Sequence, residues 1–215
     1  VKRQKTATRL LRGKLNDPDY PAVWSIEIAL SYQDLLEHTH QTDPNFAPKP
    51  GTMLRINFSR VERQGAINWT WAPQMVWDPS NHRYSGYVAM HLPDAWGYFV
   101  FGDEGGKDEG SIPKDPTWPG RLAAMNVYYA QKVYSEQRQS ELGKTKYAST
   151  LEELSNLVDD AILEPFQIDI QVTEVGYVAR VTGNPDGSVV TVTQDRFLQV
   201  KPASTKMDPQ VQKNQ

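Results

Sequence analysis

Apolar and polar residues alternate along the front half of the chain in a pattern that predicts short β-strands. Residues 23–30 place Trp24, Ile26 and Ile28 on one face, as expected for a strand with one buried side. Trp24 is therefore a predicted core residue, and Trp96 is one for the same reason. Further strands are predicted at 53–61, 68–72 and 96–101, and a short helix is predicted at 32–37. Several short strands separated by loops favour an all-β sandwich or barrel.

The back half changes to a mixed α and β pattern. Leu122, Met125 and Tyr129 recur at spacings of three and four, which predicts an amphipathic helix over 121–141 that Gly143 ends. Overlapping capping boxes at residues 149–153 predict the start of a second short helix. Strands are then predicted at 168–173, 176–182, 188–193 and 196–200. The Asn-Pro-Asp-Gly sequence at 184–187 joins the middle two of these as a hairpin.

A stretch rich in glycine, aspartate, lysine and proline separates the two halves and is the predicted domain boundary. The predicted organisation is a β-sandwich segment at 1–102, a linker at 103–120, a helix-plus-meander α+β domain at 121–201 and a disordered tail at 202–215. The expected fold class is therefore mainly β, with a small α+β domain appended.

Composition narrows the functional classes. The chain has 215 residues with a formal net charge of -3, so it lacks the basic excess of a nucleic-acid-binding protein. It contains no cysteine, which excludes disulfides and thiolate chemistry. No run approaches the ~18 apolar residues of a membrane-spanning helix. The first residue is Val1 and not methionine, which favours a processed chain.

Catalytic or metal-binding groups are sparse. His38 and His40 could share one side of a strand, but no third ligand stands at a suitable spacing, so a surface loop is favoured over a metal site. Glu62 and Asp94 are the only candidate acid and base for glycoside chemistry, and nothing in the sequence brings them together. We therefore predict that the protein is not an enzyme and needs no catalytic cofactor.

Tryptophan is the distinctive residue, with six in the chain. Trp69 and Trp71 are two residues apart and share a face on a strand, either towards the core or towards a sugar. Trp77 and Trp118 stand in loop-like, proline-containing sequence, where Trp118 could pin the linker. The candidate carbohydrate-binding residues are Trp69, Trp71, Trp77, Arg60, Glu62, Gln74 and Asn81. Two glycosylation sequons place further candidates at Asn57 and Asn68.

Energy sets how many aromatic rings a sugar site needs. A sugar face that covers one indole buries roughly 100 Å² of apolar surface, worth about 2.5 kcal/mol. A millimolar complex requires about 4 kcal/mol. A second ring, or side chains that hydrogen-bond to hydroxyl groups, must supply the difference.

The front half resembles the C-terminal half of a family 9 carbohydrate-binding-module-like domain over residues 13–102. The resemblance is carried by the segments 24–30, 54–62, 69–73 and 91–97, above all by Arg-Ile-Asn-Phe-Ser-Arg-Val-Glu and Pro-Asp-Ala-Trp-Gly. It implies an extracellular, periplasmic or cell-surface β-sandwich associated with polysaccharides, with structural calcium in some relatives. The back half is similar to the helix-plus-meander of pilin-like domains.

The sequence departs from the family in two respects. Sugar-binding members use a clamp of two tryptophans, one from an N-terminal half that this chain lacks and one at a position that corresponds here to Met90. Half a sandwich leaves unpaired edges and an uncovered apolar face. We therefore expect a preceding segment or a companion chain to complete the sheet.

Three functions remain open at this point. The first is non-catalytic binding of a polysaccharide or oligosaccharide, and it predicts exposed tryptophans. The second is a structural or assembly role that uses the sandwich as a scaffold, and it predicts buried tryptophans. The third is a glycan-active enzyme that uses Glu62 and Asp94. Binding is favoured, and exposure of Trp69, Trp71 and Trp77 separates the first two.

Overall fold

The computed structural model describes residues 4–36, 47–62, 67–87, 92–102 and 114–203. The chain forms two compact units, Val1–Thr52 with Phe101–Asp108, and Met53–Val100 with Glu109–Gln215. His38, His40, Met90 and His91 lie outside the described residues, as do residues 103–113 of the predicted linker and 204–215 of the predicted tail.

The first unit contains a two-stranded antiparallel ribbon and a short helix. Their bounds are β1 Lys5–Arg12, β2 Val23–Ala29 and α1 Tyr32–Leu36. The strand predicted at 23–30 and the helix predicted at 32–37 are confirmed, whereas the sequence does not predict β1. Trp24 lies opposite Leu10 in the register and Ile28 opposite Thr6.

The prediction that Trp24 is a core residue is wrong. Its side chain is 41% exposed, and Ile26 and Ile28 on the same face are 49% and 41% exposed. The strand itself is present as predicted. Every residue of β1 and β2 is nevertheless exposed, because among the described residues of this unit no second layer covers the ribbon.

The front part of the second unit consists of three antiparallel strand pairs. They are β3 Met53–Ile56 with β8 Gly97–Val100, β4 Ser59–Glu62 with β5 Ile67–Thr70, and β6 Gln74–Asp78 with β7 Arg83–Tyr87. A 3-10 helix, Pro93–Ala95, precedes β8. The single strand predicted at 53–61 is wrong, since the chain forms two strands that break at Asn57 and Phe58.

The back part of the second unit is a long helix packed on a four-stranded meander. Its elements are α2 Trp118–Leu142, a 3-10 helix Glu152–Leu154, α3 Asp160–Leu163, β9 Gln167–Val172, β10 Tyr177–Thr182, β11 Val189–Thr193 and β12 Leu198–Lys201. The strand order β12-β11-β10-β9 and the hairpin between β10 and β11 confirm the predicted helix-plus-meander. The helix begins three residues earlier than predicted, inside the residues assigned to the linker.

Local signals in this part act as the sequence predicts. Gly143 ends α2 in the left-handed conformation at φ 67°, and its N–H donates to the Gln139 carbonyl. Thr150 and Glu153 form a reciprocal capping box, in which Thr150 Oγ1 accepts from the Glu153 N–H and the Glu153 carboxylate accepts from the Thr150 N–H. The helix that they start is only the short 3-10 turn Glu152–Leu154.

The core lies between α2 and one face of the meander. Alternate residues of β10 and β11 are buried, namely Tyr177, Ala179, Val181, Val190 and Val192. The helix contributes Ala123, Ala124, Val127, Ala130 and Tyr134. Small side chains on the helix let its backbone approach the sheet, and each fully buried valine contributes about 1.5–3 kcal/mol. The chain is therefore mainly β with several antiparallel sheets and a few helices.

Candidate functional site

Four aromatic side chains of the second unit form one exposed surface. They are Phe58 at 40%, Trp69 at 60%, Trp71 at 55% and Phe99 at 42% exposure. We call this set the aromatic surface. Such large apolar side chains are ordinarily enclosed, so a cluster of them in solvent marks a candidate interaction site.

Three of the four rings touch one another. The centroids of Phe58 and Trp71 are 6.0 Å apart, those of Phe58 and Phe99 are 5.6 Å apart, and those of Trp71 and Phe99 are 5.9 Å apart. The first two pairs are edge-to-face, which is a favoured arrangement for aromatic quadrupoles. The contacts fix the rings relative to one another before any ligand arrives.

The break between β3 and β4 positions the surface. The side chain of Asn57 bonds to the backbone of Ala72 twice, with Oδ1 accepting from its N–H at 3.1 Å and Nδ2 donating to its carbonyl at 3.3 Å. The Trp71 N–H donates to the Phe58 carbonyl at 2.9 Å, which continues the pairing of β4 and β5. The Asn57 side-chain amide thus takes the place of backbone hydrogen bonds between the two segments and aligns Phe58 with Trp71.

The pairing of β4 and β5 adds Trp69 and one basic residue to the same face. Trp69 lies directly opposite Arg60 in the register, and residues directly opposite each other in an antiparallel pair share a face. Arg60 is exposed. A guanidinium beside an indole supplies the directed hydrogen-bond donors that a hydroxylated ligand requires.

Gly97 determines where the Trp71 indole can lie. A Cβ atom at residue 97 would stand 3.0 Å from Cζ3 of Trp71 and 3.1 Å from Cβ of Ala72. The indole therefore packs over the bare backbone of β8. Gly97 and Phe99 share a face of this strand, so β8 supports both Trp71 and its neighbour.

Two of the predicted sugar-binding residues lie in the interior instead. Trp77 is 6% exposed, and its indole N–H donates to the Leu157 carbonyl at 2.8 Å. Gln74 is 2% exposed. The assignment of Trp77 to a loop is wrong, since it belongs to β6 and its side chain is buried in the unit.

The remaining predicted residues are not brought to the aromatic surface by any described contact. Asn81 forms the turn between β6 and β7, where its Nδ2 donates to the Asp78 carboxylate at 2.8 Å. This hydrogen bond is the main cause of the lowered pKa of Asp78. Glu62 lies in β4, and its side chain is outside the described residues.

The two sequon asparagines differ in their surroundings. Asn68 is exposed in β5. The Asn57 amide is half-buried and holds Ala72, and a glycan there would take one of the two N–H groups of the nitrogen that donates to the Ala72 carbonyl. Within the folded chain, Asn68 offers the more accessible amide.

The alternatives that involve catalysis or a metal find little support within the described residues. Asp94 Oδ1 accepts from Arg196 Nη2 at 2.5 Å, so this carboxylate is already bound. No group of three or more histidine, aspartate or glutamate side chains within the described ranges could hold a metal ion. Within the same ranges, His82 contacts the Asn156 carbonyl at 2.6 Å.

Phe58 and Phe99 belong to the surface, but the sequence did not identify them. The sequence predicts a continuous strand through Phe58, but the structure interrupts it at Asn57 and Phe58. Tyr98 and Val100 lie on the predicted core face of their strand, and Phe99 lies on the opposite face. An apolar residue on the face expected to be polar was the available signal.

Comparison with family models, with curated proteins and with solved structures finds no match to this chain. The resemblance to a family 9 carbohydrate-binding module therefore stays a prediction. The longest of the helices in the described residues is α2, and none of them is apolar and long enough to cross a bilayer.

Proposed function

We propose that this protein is a non-catalytic carbohydrate-binding module whose ligand stacks on the aromatic surface. The exposure of Trp69 and Trp71 on one face is the observation that supports it. Exposure of these two residues is the outcome expected of binding, and burial is the outcome expected of a scaffold. The family resemblance supports an exported, polysaccharide-associated setting for the same activity.

Two indoles meet the energetic requirement that one does not. Stacking on both would contribute roughly 5 kcal/mol, above the ~4 kcal/mol of a millimolar complex. Ordering of the ligand consumes part of this energy, so the expected affinity is weak. Arg60 would add hydrogen bonds to sugar hydroxyl groups beside Trp69.

Depletion on insoluble cellulose, xylan and chitin, followed by calorimetric titration with oligosaccharides of the polysaccharide that binds, tests the proposal. We expect a dissociation constant near the millimolar range. Trp69→Ala and Trp71→Ala should each weaken binding by about 2.5 kcal/mol, or roughly 70-fold, because each removes roughly half of the stacking area.

Phe197→Ala is the matched control. Phe197 is an aromatic residue of the same unit, is 50% exposed and lies outside the aromatic surface, so its loss should leave sugar binding unchanged. Absence of binding to all three polysaccharides, or an equal loss in the Phe197 variant, would contradict the proposal.

The assembly role is the second candidate, and the β1–β2 ribbon favours it. Leu10 is 46% exposed and joins Trp24, Ile26 and Ile28 on one apolar face. A companion segment that completes a sandwich would cover such a face. Sedimentation of the chain with and without Ile26→Lys distinguishes this role, since assembly through the ribbon predicts a larger species that the lysine abolishes.

A further inference from the structure

The two edge strands of the meander in the second unit differ in how well they are protected from pairing. The strand β12 is four residues long, ends at Lys201 and is followed by Pro202, which has no N–H to donate. A short strand, a lysine and a proline are all devices that keep an edge from pairing with another chain. The strand β9 is six residues long, contains no lysine, arginine or proline, and pairs with β10 without a bulge. Among the described residues, β9 is therefore the open edge of this sheet.

Hydrogen bonds at the two ends of β9 show which of its backbone groups face the sheet. The Thr173 N–H donates to the Gly176 carbonyl at 2.8 Å, where the hairpin turns into β10. At the other end, the Thr182 hydroxyl of β10 donates to the Gln167 carbonyl at 3.3 Å. Gln167 and Thr173 therefore both direct their backbone groups towards β10.

The positions that face away from β10 follow from the alternation of an antiparallel pair. Every second residue of such a strand directs its N–H and carbonyl to the same side. Counting between Gln167 and Thr173, the residues that direct theirs away from β10 are Ile168, Ile170 and Val172. Within the described part of the chain, no strand pairs with this side of β9. Each of the three residues thus presents one donor and one acceptor at the open edge.

The side chains of β9 leave an apolar group at this edge in solvent. Ile168, Ile170 and Val172 share the face that packs on the core, where Ile170 is 8% exposed. Val172, at the end of the strand, is 42% exposed. An added strand would cover Val172 and would satisfy the outward backbone groups at the same time.

The opposite face of β9 is polar and carries one charge. Asp169 lies opposite Arg180 of β10, and its carboxylate accepts from Gln171 Nε2 at 3.1 Å. Both Asp169 and Gln171 are exposed. A partner strand must therefore place a group that tolerates or binds a carboxylate opposite Asp169.

We propose that β9 pairs antiparallel with β9 of a second copy of this chain, about a two-fold axis through Ile170. Ile170 then lies opposite Ile170 of the second copy, and Ile168 lies opposite its Val172. Because all of these residues direct their backbone groups outward, each pair exchanges two hydrogen bonds. On the polar face, Asp169 lies opposite Gln171 of the second copy. The two four-stranded sheets become one continuous sheet.

The register follows from the strand itself. An axis through Ile170 is the one arrangement that pairs all three outward-facing residues with one another. An axis through Asp169 would bring the two Asp169 carboxylates together, and like charges directly opposite each other are destabilising. It would also place Val172 opposite Phe166, before β9 begins. The edge is thus complementary to itself, which makes a second copy its fitting partner.

Sedimentation equilibrium of the full chain over a hundredfold range of concentration tests the proposal. A contact made by one short strand from each copy buries little area, and small interfaces are weak. We therefore expect a reversible equilibrium of monomer and dimer in the micromolar to submillimolar range. A chain that stays monomeric throughout this range overturns the proposal.

Opposite charges at Gln171 assign the dimer to this edge. Gln171→Lys should tighten it about tenfold and Gln171→Glu should weaken it about tenfold, because each change acts on Asp169 of the other copy at two places in the dimer. Gln199→Lys and Gln199→Glu make the same changes at an exposed position of β12 and should leave the equilibrium unchanged. Equal shifts for Gln171→Lys and Gln171→Glu, or equal effects at Gln199, would exclude the pairing.

A proline tests the backbone hydrogen bonds directly. Val172→Pro removes an N–H that faces away from β10, and proline is tolerated at such positions of an edge strand. The variant should be monomeric, while its circular dichroism spectrum stays that of the unaltered protein. A folded proline variant that still forms the dimer contradicts the proposal, and the Gln171 variants decide the matter if the proline variant fails to fold.

Two further variants separate this dimer from the other proposals. Ile26→Lys alters the β1–β2 ribbon and should leave pairing through β9 intact. A dimer that Ile26→Lys abolishes and Gln171→Glu does not weaken belongs to the ribbon, and overturns the assignment to β9. Trp69→Ala should not change the equilibrium, so sugar binding and dimer formation can each fail without the other.

Discussion

A single buried amide joins the long helix to the chain that follows it. Gln131 is fully buried, its Nε2 donates to the Ala148 carbonyl at 2.8 Å, and its Oε1 accepts from the Ala148 N–H at 2.9 Å. Both backbone groups of Ala148 are thereby satisfied within the core. A buried backbone group that loses its only partner costs about 1–3 kcal/mol.

Gln131→Leu should therefore lower the free energy of unfolding by roughly 2–4 kcal/mol, since it leaves two buried backbone groups unpaired. Urea denaturation followed by circular dichroism measures the change. Gln137→Leu makes the same substitution at an exposed position of the helix and should stay within about 0.5 kcal/mol of the unaltered protein. Equal effects at the two positions would show that the amide pair has no special role.

At the scale of elements, the periodic pattern predicts whether a helix or a strand is present better than it predicts where that element is interrupted. The helix α2 and the meander followed from spacing, turn residues and the Gly143 terminator. The strand predicted at 53–61 broke because the Asn57 amide pairs with Ala72, fifteen residues away, and no local pattern reveals such a partner. The sequence does not predict the hairpin of β6 and β7, because Asp78 and Pro79 are typical of a loop, whereas in the structure they lead into the turn of the hairpin.

Trp77 attaches the β6–β7 hairpin to the helical part of the second unit through its hydrogen bond to Leu157. Trp77→Phe keeps most of the packing but leaves that carbonyl without its donor, so we expect a loss of about 1–3 kcal/mol in the free energy of unfolding. Chemical denaturation provides the measurement. Trp69→Phe, at an exposed ring, should change stability by less than about 0.5 kcal/mol, and similar losses in both would contradict the anchoring role.

At the scale of the whole molecule, buried tyrosines connect stability to alkaline pH. Burial is the largest cause of a raised pKa at Tyr84, Tyr98, Tyr128, Tyr129 and Tyr177. An unfolded tyrosine ionises near pH 10. Between that pH and the higher pKa of the folded state, the unfolded chain releases the proton first, so ionisation favours unfolding.

The free energy of unfolding should consequently be insensitive to these groups below about pH 9 and should fall above pH 10. Tyr129 and Tyr177, whose pKa values are raised most, would each contribute a loss of up to about 1.4 kcal/mol by pH 11. Tyr177→Phe removes a buried hydroxyl that has no hydrogen-bond partner, so the variant should match or exceed the unaltered protein at pH 8 and lose less by pH 11. Denaturation curves at both pH values test this, and an unchanged alkaline loss would refute it.

The candidate site was predictable only in part. Trp69, Trp71 and Arg60 share an exposed face as alternation predicts, because strand period decides which residues lie side by side. Alternation does not decide whether a face points inward. The sequence therefore predicts an exposed Trp77 and a buried Trp24, whereas Trp77 is buried and Trp24 is exposed. Phe58 and Phe99 complete the surface through contacts between distant segments.

The tryptophans differ in solvent exposure, and this difference should be visible in their fluorescence. Trp77 is sealed from solvent, whereas Trp69 and Trp71 are more than half exposed. Their fluorescence should therefore divide into a blue-shifted component from Trp77 and a red-shifted component that dissolved acrylamide quenches. Trp77 thereby reports on the integrity of the interior, and Trp69 and Trp71, alongside the partly exposed Trp24 and Trp118, report on the occupancy of the aromatic surface.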